Sequence, residues 1–124
     1  MIGAGGATRV FLACGRTDLR KGFDGLEALV REKLAQDPLS GHVFVFCNAN
    51  RTRIKALYWD GSGLWVCGKR LEKGCFRWPM DGADRRIGTG ELGALLGGLD
   101  WTKPQRGWFR REPGNWTENK SQNS

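Results

Sequence analysis

The feature that most constrains the fold of this chain is a tight-turn sequence, Asp60-Gly61-Ser62-Gly63, set between two segments rich in β-forming residues. Residues 53–59 precede the turn and residues 64–71 follow it. Asp-Gly followed by a second glycine supplies the positive φ angles of a short hairpin connection. With an even number of residues in that connection, Arg53 lies opposite Arg70 across the hairpin. We therefore predict an antiparallel hairpin of defined register.

That register has an electrostatic consequence. Side chains alternate along a strand, so Arg53, Lys55 and Arg70 share one face near the open end of the hairpin. Like charges at such short range repel each other unless an anion or an acidic group lies between them. The predicted hairpin is therefore a candidate anion-binding surface.

Three further segments are predicted to be strands. Residues 9–14 form a short apolar run that ends at a glycine, which indicates a buried first strand. Residues 42–47 are apolar on both faces, as expected of a central strand. Residues 75–78 are terminated by Pro79 and complete the predicted series.

Two segments have helical periodicity. The first has apolar residues three and four apart, Phe23, Leu26, Leu29, Val30 and Leu34, and ends before Asp37-Pro38. Its start is predicted to be a capping box of Asp24 and Glu27, with Thr17 or Asp18 as alternative caps for an earlier start. The second has Leu92, Leu95, Leu96 and Leu99 in one stripe. The polar, glycine-containing stretch 80–90 between the last predicted strand and this helix is predicted to be a loop.

The predicted fold is α+β, a small antiparallel β-meander over residues 42–79 with an added N-terminal strand and two helices packed on one face. A chain of 124 residues is long enough for one domain. We place that domain at residues 8–101. Residues 102–124 contain Trp and Arg in a mostly polar context, and we predict a disordered tail there.

The net charge of the chain, +7 at neutral pH, is concentrated in one segment. Residues 51–80 contain seven basic and two acidic side chains, whereas residues 1–50 and 81–124 each have an excess of one basic residue. The same segment contains five aromatic residues, Tyr58, Trp59, Trp65, Phe76 and Trp78. Basic residues interleaved with aromatics are typical of a nucleic-acid-binding surface. The alternative interpretation is a solvated basic sheet face above a Trp-rich core.

Several function classes are not supported by the sequence. The longest apolar run, residues 43–47, is far shorter than a membrane span, and the N-terminus has no secretory signal pattern, so we expect a cytoplasmic protein without membrane contact. The four cysteines and the single His42 lack zinc-site spacing. The G-x-G-x-x-G pattern at 88–93 has no predicted strand before it. The aspartates lie at turns and helix starts. We predict no catalytic residue, metal or cofactor.

Five segments, in this order and spacing, resemble a known family. They are residues 17–26, residues 37–46, residues 53–61 in part, residues 69–74, and residues 77–79. Together they resemble the TnpB-type accessory protein of the insertion sequence 66 family of bacterial transposons, over about residues 8–101. The resemblance implies a small protein that is encoded beside an Asp-Asp-Glu transposase and assists transposition without being the strand-transfer enzyme.

The family signature in this chain consists of Asp18, Arg20, Lys21 and Gly22. One interpretation is structural, a helix entry with a capping aspartate and a bend that glycine permits. The other interpretation is a direct contact to DNA or to a protein partner.

We predict a non-catalytic accessory factor that binds the phosphate backbone of transposon ends or target DNA through the basic hairpin. The central residues are Arg53, Lys55, Lys69 and Arg70, and the peripheral ones are Arg51, Lys73 and Arg77. The alternative is an adaptor that docks on the transposase of the same element, with Trp101, Trp108, Phe109, Arg110 and Arg111 as anchors. A small metal-dependent nuclease is a third hypothesis.

Overall fold

The computed structural model describes residues 8–102, which form a five-stranded sheet and two helices. The elements in chain order are β1 (Val10–Leu12), α1 (Phe23–Glu32), β2 (Val43–Cys47), β3 (Arg53–Trp59), β4 (Leu64–Arg70), β5 (Arg85–Ile87) and α2 (Thr89–Leu96). The strand order is β4-β3-β2-β1-β5. β1 is parallel to β2, and the other neighbours are antiparallel. The α+β class is confirmed.

The β3–β4 hairpin has the predicted register, with Arg53 opposite Arg70. The Asp60 carboxylate holds the turn, because its Oδ1 accepts hydrogen bonds from the backbone N–H groups of Ser62 and Gly63, each at 2.9 Å. Its Oδ2 accepts a hydrogen bond from the Trp65 indole at 2.8 Å. These bonds, led by the one from Trp65, lower the pKa of Asp60.

β2 is the central strand, as predicted, and all five of its residues are buried. It pairs on one side with β3 and on the other with β1. Parallel pairing of β1 and β2 requires a crossover connection, and α1 lies within that connection. A strand covered on both faces needs apolar side chains on both, which is the pattern of residues 43–47.

The prediction that both helices pack on one face of the sheet is wrong, because the two helices cover opposite faces. Alternate residues of β2 point to opposite sides. Phe44 and Phe46 belong to a core with Leu26 and Val30 of α1 and with Leu34, which follows the helix. Val43, Val45 and Cys47 belong to a second core that contains Ala94 and Leu95 of α2, together with Phe76, Trp78 and Trp101. The crossover helix takes one face, and the last helix covers the apolar face that remains.

The predicted strand at residues 75–78 is not formed. Phe76 and Trp78 are nevertheless buried, as anchors of a loop. The Trp78 indole donates to the carbonyl oxygens of Ala13 and Gly15 at 3.0 and 3.1 Å. The alternation of buried and exposed residues that predicted a strand therefore comes from a loop tied to the end of β1.

The stretch 80–90, predicted to be a loop, contains β5 and the start of α2. β5 pairs antiparallel with β1 and forms one edge of the sheet. α2 begins at Thr89, one turn before the predicted leucine stripe. Glu91 Oε1 accepts a hydrogen bond from the Gly88 N–H at 2.7 Å, which satisfies a donor at the helix start.

The predicted caps of α1 are also absent. The N-cap is Gly22, and no side chain makes a capping hydrogen bond there, so neither the Asp24–Glu27 box nor Thr17 nor Asp18 caps the helix. Asp24 lies in the first turn, where a negative charge interacts favourably with the helix dipole. The predicted tail, residues 102–124, lies from residue 103 onward outside the described residues.

Neither α1 nor α2, the helices of the described part of the chain, is long and apolar enough to cross a membrane.

Candidate nucleic-acid interface

Basic residues from separate segments meet at one end of the sheet. The pairing registers bring the C-terminal ends of β1, β2 and β4 together with the N-terminal ends of β3 and β5. Arg53, Arg70 and Arg85 occupy this end, and Arg51 lies in the β2–β3 turn beside them. We call it the basic end. The opposite end contains the β3–β4 turn and the start of β1.

A cleft of about 790 Å³ opens at the basic end, and we call it the basic cleft. Five basic residues and two acidic residues line it: Arg20, Arg53, Lys55, Lys69, Arg70, Asp18 and Glu72. The cleft therefore brings the family signature of residues 18–22 next to the predicted basic hairpin. These two features are more than 30 positions apart in the sequence.

Arg53 and Arg70 are direct cross-strand partners, and Lys55 follows Arg53 on the same face. Arg70 lies 3.4 Å from the exposed Glu72 carboxylate. Arg53 and Lys55 have no ion-pair partner among residues 8–102. Cross-strand like charges destabilise a sheet unless an anion compensates them. The face thus presents two uncompensated cations to a ligand.

Asp18 orients Arg20 rather than capping a helix. Its Oδ1 accepts hydrogen bonds from the Arg20 backbone N–H and from Nε, both at 3.0 Å, and its Oδ2 accepts one from Nη2 at 2.9 Å. This two-pronged contact lowers the pKa of Asp18 to about 2 and raises the pKa of Arg20. The Arg20 side chain is 91% exposed, so the fork holds a cation out toward solvent.

The bend at Gly22 does not need glycine, because its φ is −93°. Lys21 is exposed at the same loop. The structural interpretation of the signature is correct in that the segment leads into α1, with Gly22 as the N-cap, but the capping aspartate and the need for glycine at the bend are wrong.

Lys69 differs from the other central residues of the predicted hairpin surface. It borders the basic cleft, but it alternates with Arg70 and its ammonium lies on the α2 side of the sheet. There its Nζ donates to the carbonyl oxygen of Leu96 at 2.7 Å. A cation at the last carbonyl groups of a helix complements the helix dipole. Lys69 thus has a structural role at the end of α2.

The three peripheral residues of the prediction do not line the basic cleft. Arg51 and Arg77 line a second cleft, of about 280 Å³, together with Arg85 and Trp101. Lys73 is exposed in the loop after β4 and lines neither cleft.

The aromatic residues of the basic segment do not line the basic cleft. Phe76 and Trp78 are core residues, and Trp65 is 57% exposed beside the β3–β4 turn at the opposite end of the sheet. Trp101, expected to be an exposed anchor, is buried, and the other anchors at 108–111 lie outside the described residues. The basic cleft therefore offers charge without a stacking surface.

Sequence reasoning missed Arg85, because a three-residue strand is too short to have a visible period. It also missed the pairing of Asp18 with Arg20, for which the spacing of two residues was the only available signal.

Among residues 8–102, no group of three or more His, Cys, Asp or Glu side chains is placed to hold a metal ion. Cys14 and Cys47 are buried, while Cys67 and Cys75 are exposed. Burial raises the pKa of the Cys47 thiol to about 12.

Comparisons with known proteins identify relatives of this chain. The family model described as IS66 Orf2 like protein matches residues 8–106. The uncharacterised protein y4hO of Sinorhizobium fredii is 39% identical over 109 residues, which cover 87% of this chain and 95% of that protein. A second uncharacterised protein of the same organism, y4jC, is 41% identical over 108 residues, 86% of this chain and 92% of the relative. No solved structure gives a significant match.

Proposed function

Because the chain belongs to the family of IS66 Orf2 like proteins, whose role is that of an accessory to transposition, we propose that it assists transposition by binding the DNA backbone in the basic cleft. In this proposal the protein is not itself the catalyst. Its partners are the DNA of the transposon ends or the target, and the transposase of the same element.

The observation that carries the proposal is the placement of Arg53 opposite Arg70, with Lys55 beside them and no carboxylate on Arg53 or Lys55 within the described residues. A phosphate between these cations would relieve their mutual repulsion and replace a missing counter-charge. Arg20 extends from the other wall of the cleft and supplies an additional guanidinium.

The residues that line the basic cleft also limit its ability to recognise DNA bases. It contains no aromatic residue on which a base could stack. Contacts to phosphates fix the position of a protein on a duplex but carry no base information. We therefore propose binding with little dependence on DNA sequence.

The test is a titration of the full chain with a labelled 20-base-pair duplex across a salt series. Arg53→Ala is compared with Arg9→Ala, since Arg9 is an exposed arginine at the opposite end of the sheet. One phosphate contact contributes about 0.9 to the slope of log affinity against log salt, or roughly eightfold in affinity at about 0.1 M salt. Arg53→Ala should show that loss, and Arg9→Ala should bind like the natural chain. If both substitutions weaken binding equally, the binding depends on net charge and not on the basic cleft. If the full chain does not bind the duplex at about 50 mM salt, the proposed DNA binding is refuted.

The alternative function, an adaptor that docks on the transposase, is favoured by one observation. Trp65 is 57% exposed and borders an apolar groove of about 490 Å³ between the sheet and α2. Exposed tryptophan is a common anchor of protein interfaces. Trp65→Ala should then abolish association with the purified transposase, whereas Phe23→Ala, which removes a 49% exposed aromatic on α1, should not. Association unaffected by Trp65→Ala would contradict the adaptor function at this groove.

A further inference from the structure

We propose that the second cleft at the basic end, lined by Arg51, Arg77, Arg85 and Trp101, binds a phosphate of a single-stranded segment joined to the DNA in the basic cleft. We call it the arginine pocket. The inference rests on the proposed DNA binding and specifies its substrate: a duplex with a single-stranded extension.

The arginine pocket concentrates positive charge from three separate parts of the chain. Arg51 comes from the β2–β3 turn, Arg77 from the loop after β4, and Arg85 from the start of β5. Asp100 is the acidic residue among those that line it. None of the three arginines forms an ion pair with another residue of the described range 8–102. Planar guanidinium groups with several donors are suited to phosphate oxygens.

The backbone of Arg51 is held in place without a ligand. Arg51 has a φ of 61°, an unfavourable conformation for a residue other than glycine. Its carbonyl accepts a hydrogen bond from the Phe76 N–H at 2.7 Å, and its own N–H donates to the Asn48 carbonyl at 3.1 Å. Strained residues of this kind persist where the surroundings fix them, and they cluster at binding sites.

Trp101 contacts the other two arginines, the side chain of Arg85 and the backbone of Arg77. The Arg85 guanidinium lies 5.8 Å from the centroid of the Trp101 ring. The Trp101 indole donates to the Arg77 carbonyl oxygen at 2.6 Å. Contacts within the protein therefore hold the Arg85 side chain and the backbone of Arg51 and Arg77 at the pocket.

The position of the pocket, rather than its size, favours a single strand. Its volume of about 280 Å³ is enough for one phosphodiester and its sugar, which either kind of strand can present. The unpaired cations of the basic cleft and Arg85 of the arginine pocket lie on opposite faces of the sheet, since Arg53 and Lys55 are on the α1 side and Arg85 shares the α2 side with Leu12. A duplex stays straight over about 150 base pairs and does not turn around this edge, whereas a single strand does.

The distance between the two clefts fits a short strand. Arg53 and Arg85 are separated by three strand spacings, β3 to β2 to β1 to β5, or roughly 14 Å. Arg51 lies in the turn that separates them. A few nucleotides span that distance.

The experiment compares four labelled DNA probes with the full chain at about 0.1 M salt. They are a blunt 20-base-pair duplex, the same duplex with a five-nucleotide single-stranded extension of one polarity or of the other, and a blunt 25-base-pair duplex. The 25-base-pair duplex controls for added phosphates. One or two contacts in the arginine pocket should make one of the extended probes bind roughly fivefold to 25-fold more tightly than the blunt 20-base-pair duplex. Arg85→Ala and Arg51→Gly should remove this gain and leave binding of the blunt duplex nearly unchanged.

The matched control is Arg86→Ala, because Arg86 is an exposed neighbour of Arg85 on the opposite face of the same strand. It should keep the gain. Arg51→Gly is chosen because glycine relieves the positive φ, so its thermal unfolding should be no lower than that of the natural chain. If neither extended probe binds more tightly than the 25-base-pair duplex, or if Arg86→Ala loses the gain as Arg85→Ala does, the inference is refuted while Arg53-dependent duplex binding still stands. If no probe binds, both proposals fail.

Discussion

At the scale of single residues, two aspartates each accept several hydrogen bonds through both carboxylate oxygens, but with different structural effects. Asp18 fixes the direction of the exposed Arg20 guanidinium. Asp60 joins the backbone of its own turn to the Trp65 indole and so stabilises the β3–β4 hairpin. Neither carboxylate is buried, so the effect of each lies in geometry and charge rather than in desolvation.

Asp60 should make the stability of the protein depend on pH under acidic conditions. Its pKa is lower in the folded state than the ordinary value of 3.8, so the stabilisation is complete above pH 3.8 and is lost as pH falls through the folded pKa. Asp60→Asn should therefore be less stable than the natural chain at pH 7, and the gap should narrow on acidification below pH 4. Urea unfolding of both proteins across this pH range measures the difference in their free energies of unfolding. A difference that does not change with pH would contradict the stabilising role of the Asp60 carboxylate.

Ala35 should be a site of easy stabilisation. It has a φ of 53° two residues after the C-cap of α1, a left-handed conformation that glycine adopts without steric cost. Ala35→Gly removes the steric cost of this conformation and should raise the free energy of unfolding by about 0.5–1 kcal/mol. Ala28→Gly, within α1, is the matched substitution and should lower it by about 1 kcal/mol. Urea unfolding of both variants checks the signs, and a loss of stability on Ala35→Gly would contradict the argument.

At the scale of elements, α2 depends on contacts outside its own sequence. It contains two glycines and is followed by Gly97 and Gly98, which makes it a weak helix in isolation. Burial of Ala94 and Leu95 and the ammonium of Lys69 at Leu96 stabilise it in the protein. The helix end is thus tied to β4.

Lys69→Met should loosen the C-terminal end of α2, because it keeps the apolar stem and removes the charge. The expected cost is about 0.3–1 kcal/mol, visible as faster hydrogen exchange in the last turn of α2. Lys73→Met, at an exposed loop position, should leave exchange in α2 unchanged. Lys69→Met should also weaken DNA binding less than Arg53→Ala does. An equal loss of affinity would mean that Lys69 contacts DNA as well.

The elements that could be predicted are those with a local signal. The β3–β4 register followed from the turn residues, and the central place of β2 followed from its two apolar faces. β5 has three residues and is defined by pairing with β1, more than 70 positions earlier in the chain. Residues 75–78 have the alternating pattern of a strand but lie in a loop. The same pattern of buried and exposed residues arises because Trp78 anchors this loop to the end of β1. Long-range pairing decided both outcomes.

At the scale of the whole molecule, one sheet separates two cores. The α1 core and the α2 core share β2 as their boundary. The sequence did not reveal this arrangement, because each helix has a single apolar stripe that fits either face. The candidate site was predictable in composition but not in shape, since Arg20 and Arg85 reach the basic end only through the fold.

Substitutions in the two cores should act independently. Val30→Ala in the α1 core and Val45→Ala in the α2 core remove the same atoms from fully buried positions. Each should cost about 2 kcal/mol of unfolding free energy, and the double variant should show the sum within about 0.5 kcal/mol. Denaturant unfolding of the three variants measures the coupling, and an interaction energy above about 1 kcal/mol would mean that the sheet transmits packing between its faces.

The basic end also has a kinetic consequence. β3, with seven residues, spans about 23 Å, whereas the screening length at about 0.1 M salt is about 10 Å. The β3–β4 turn at the far end is therefore largely screened from a polyanion that approaches the arginines. The torque from this uneven charge rotates the molecule during diffusion, so that it meets a polyanion with the basic end already forward. Encounters of this kind are faster than net charge alone would make them, and the advantage disappears as salt shortens the range of the field.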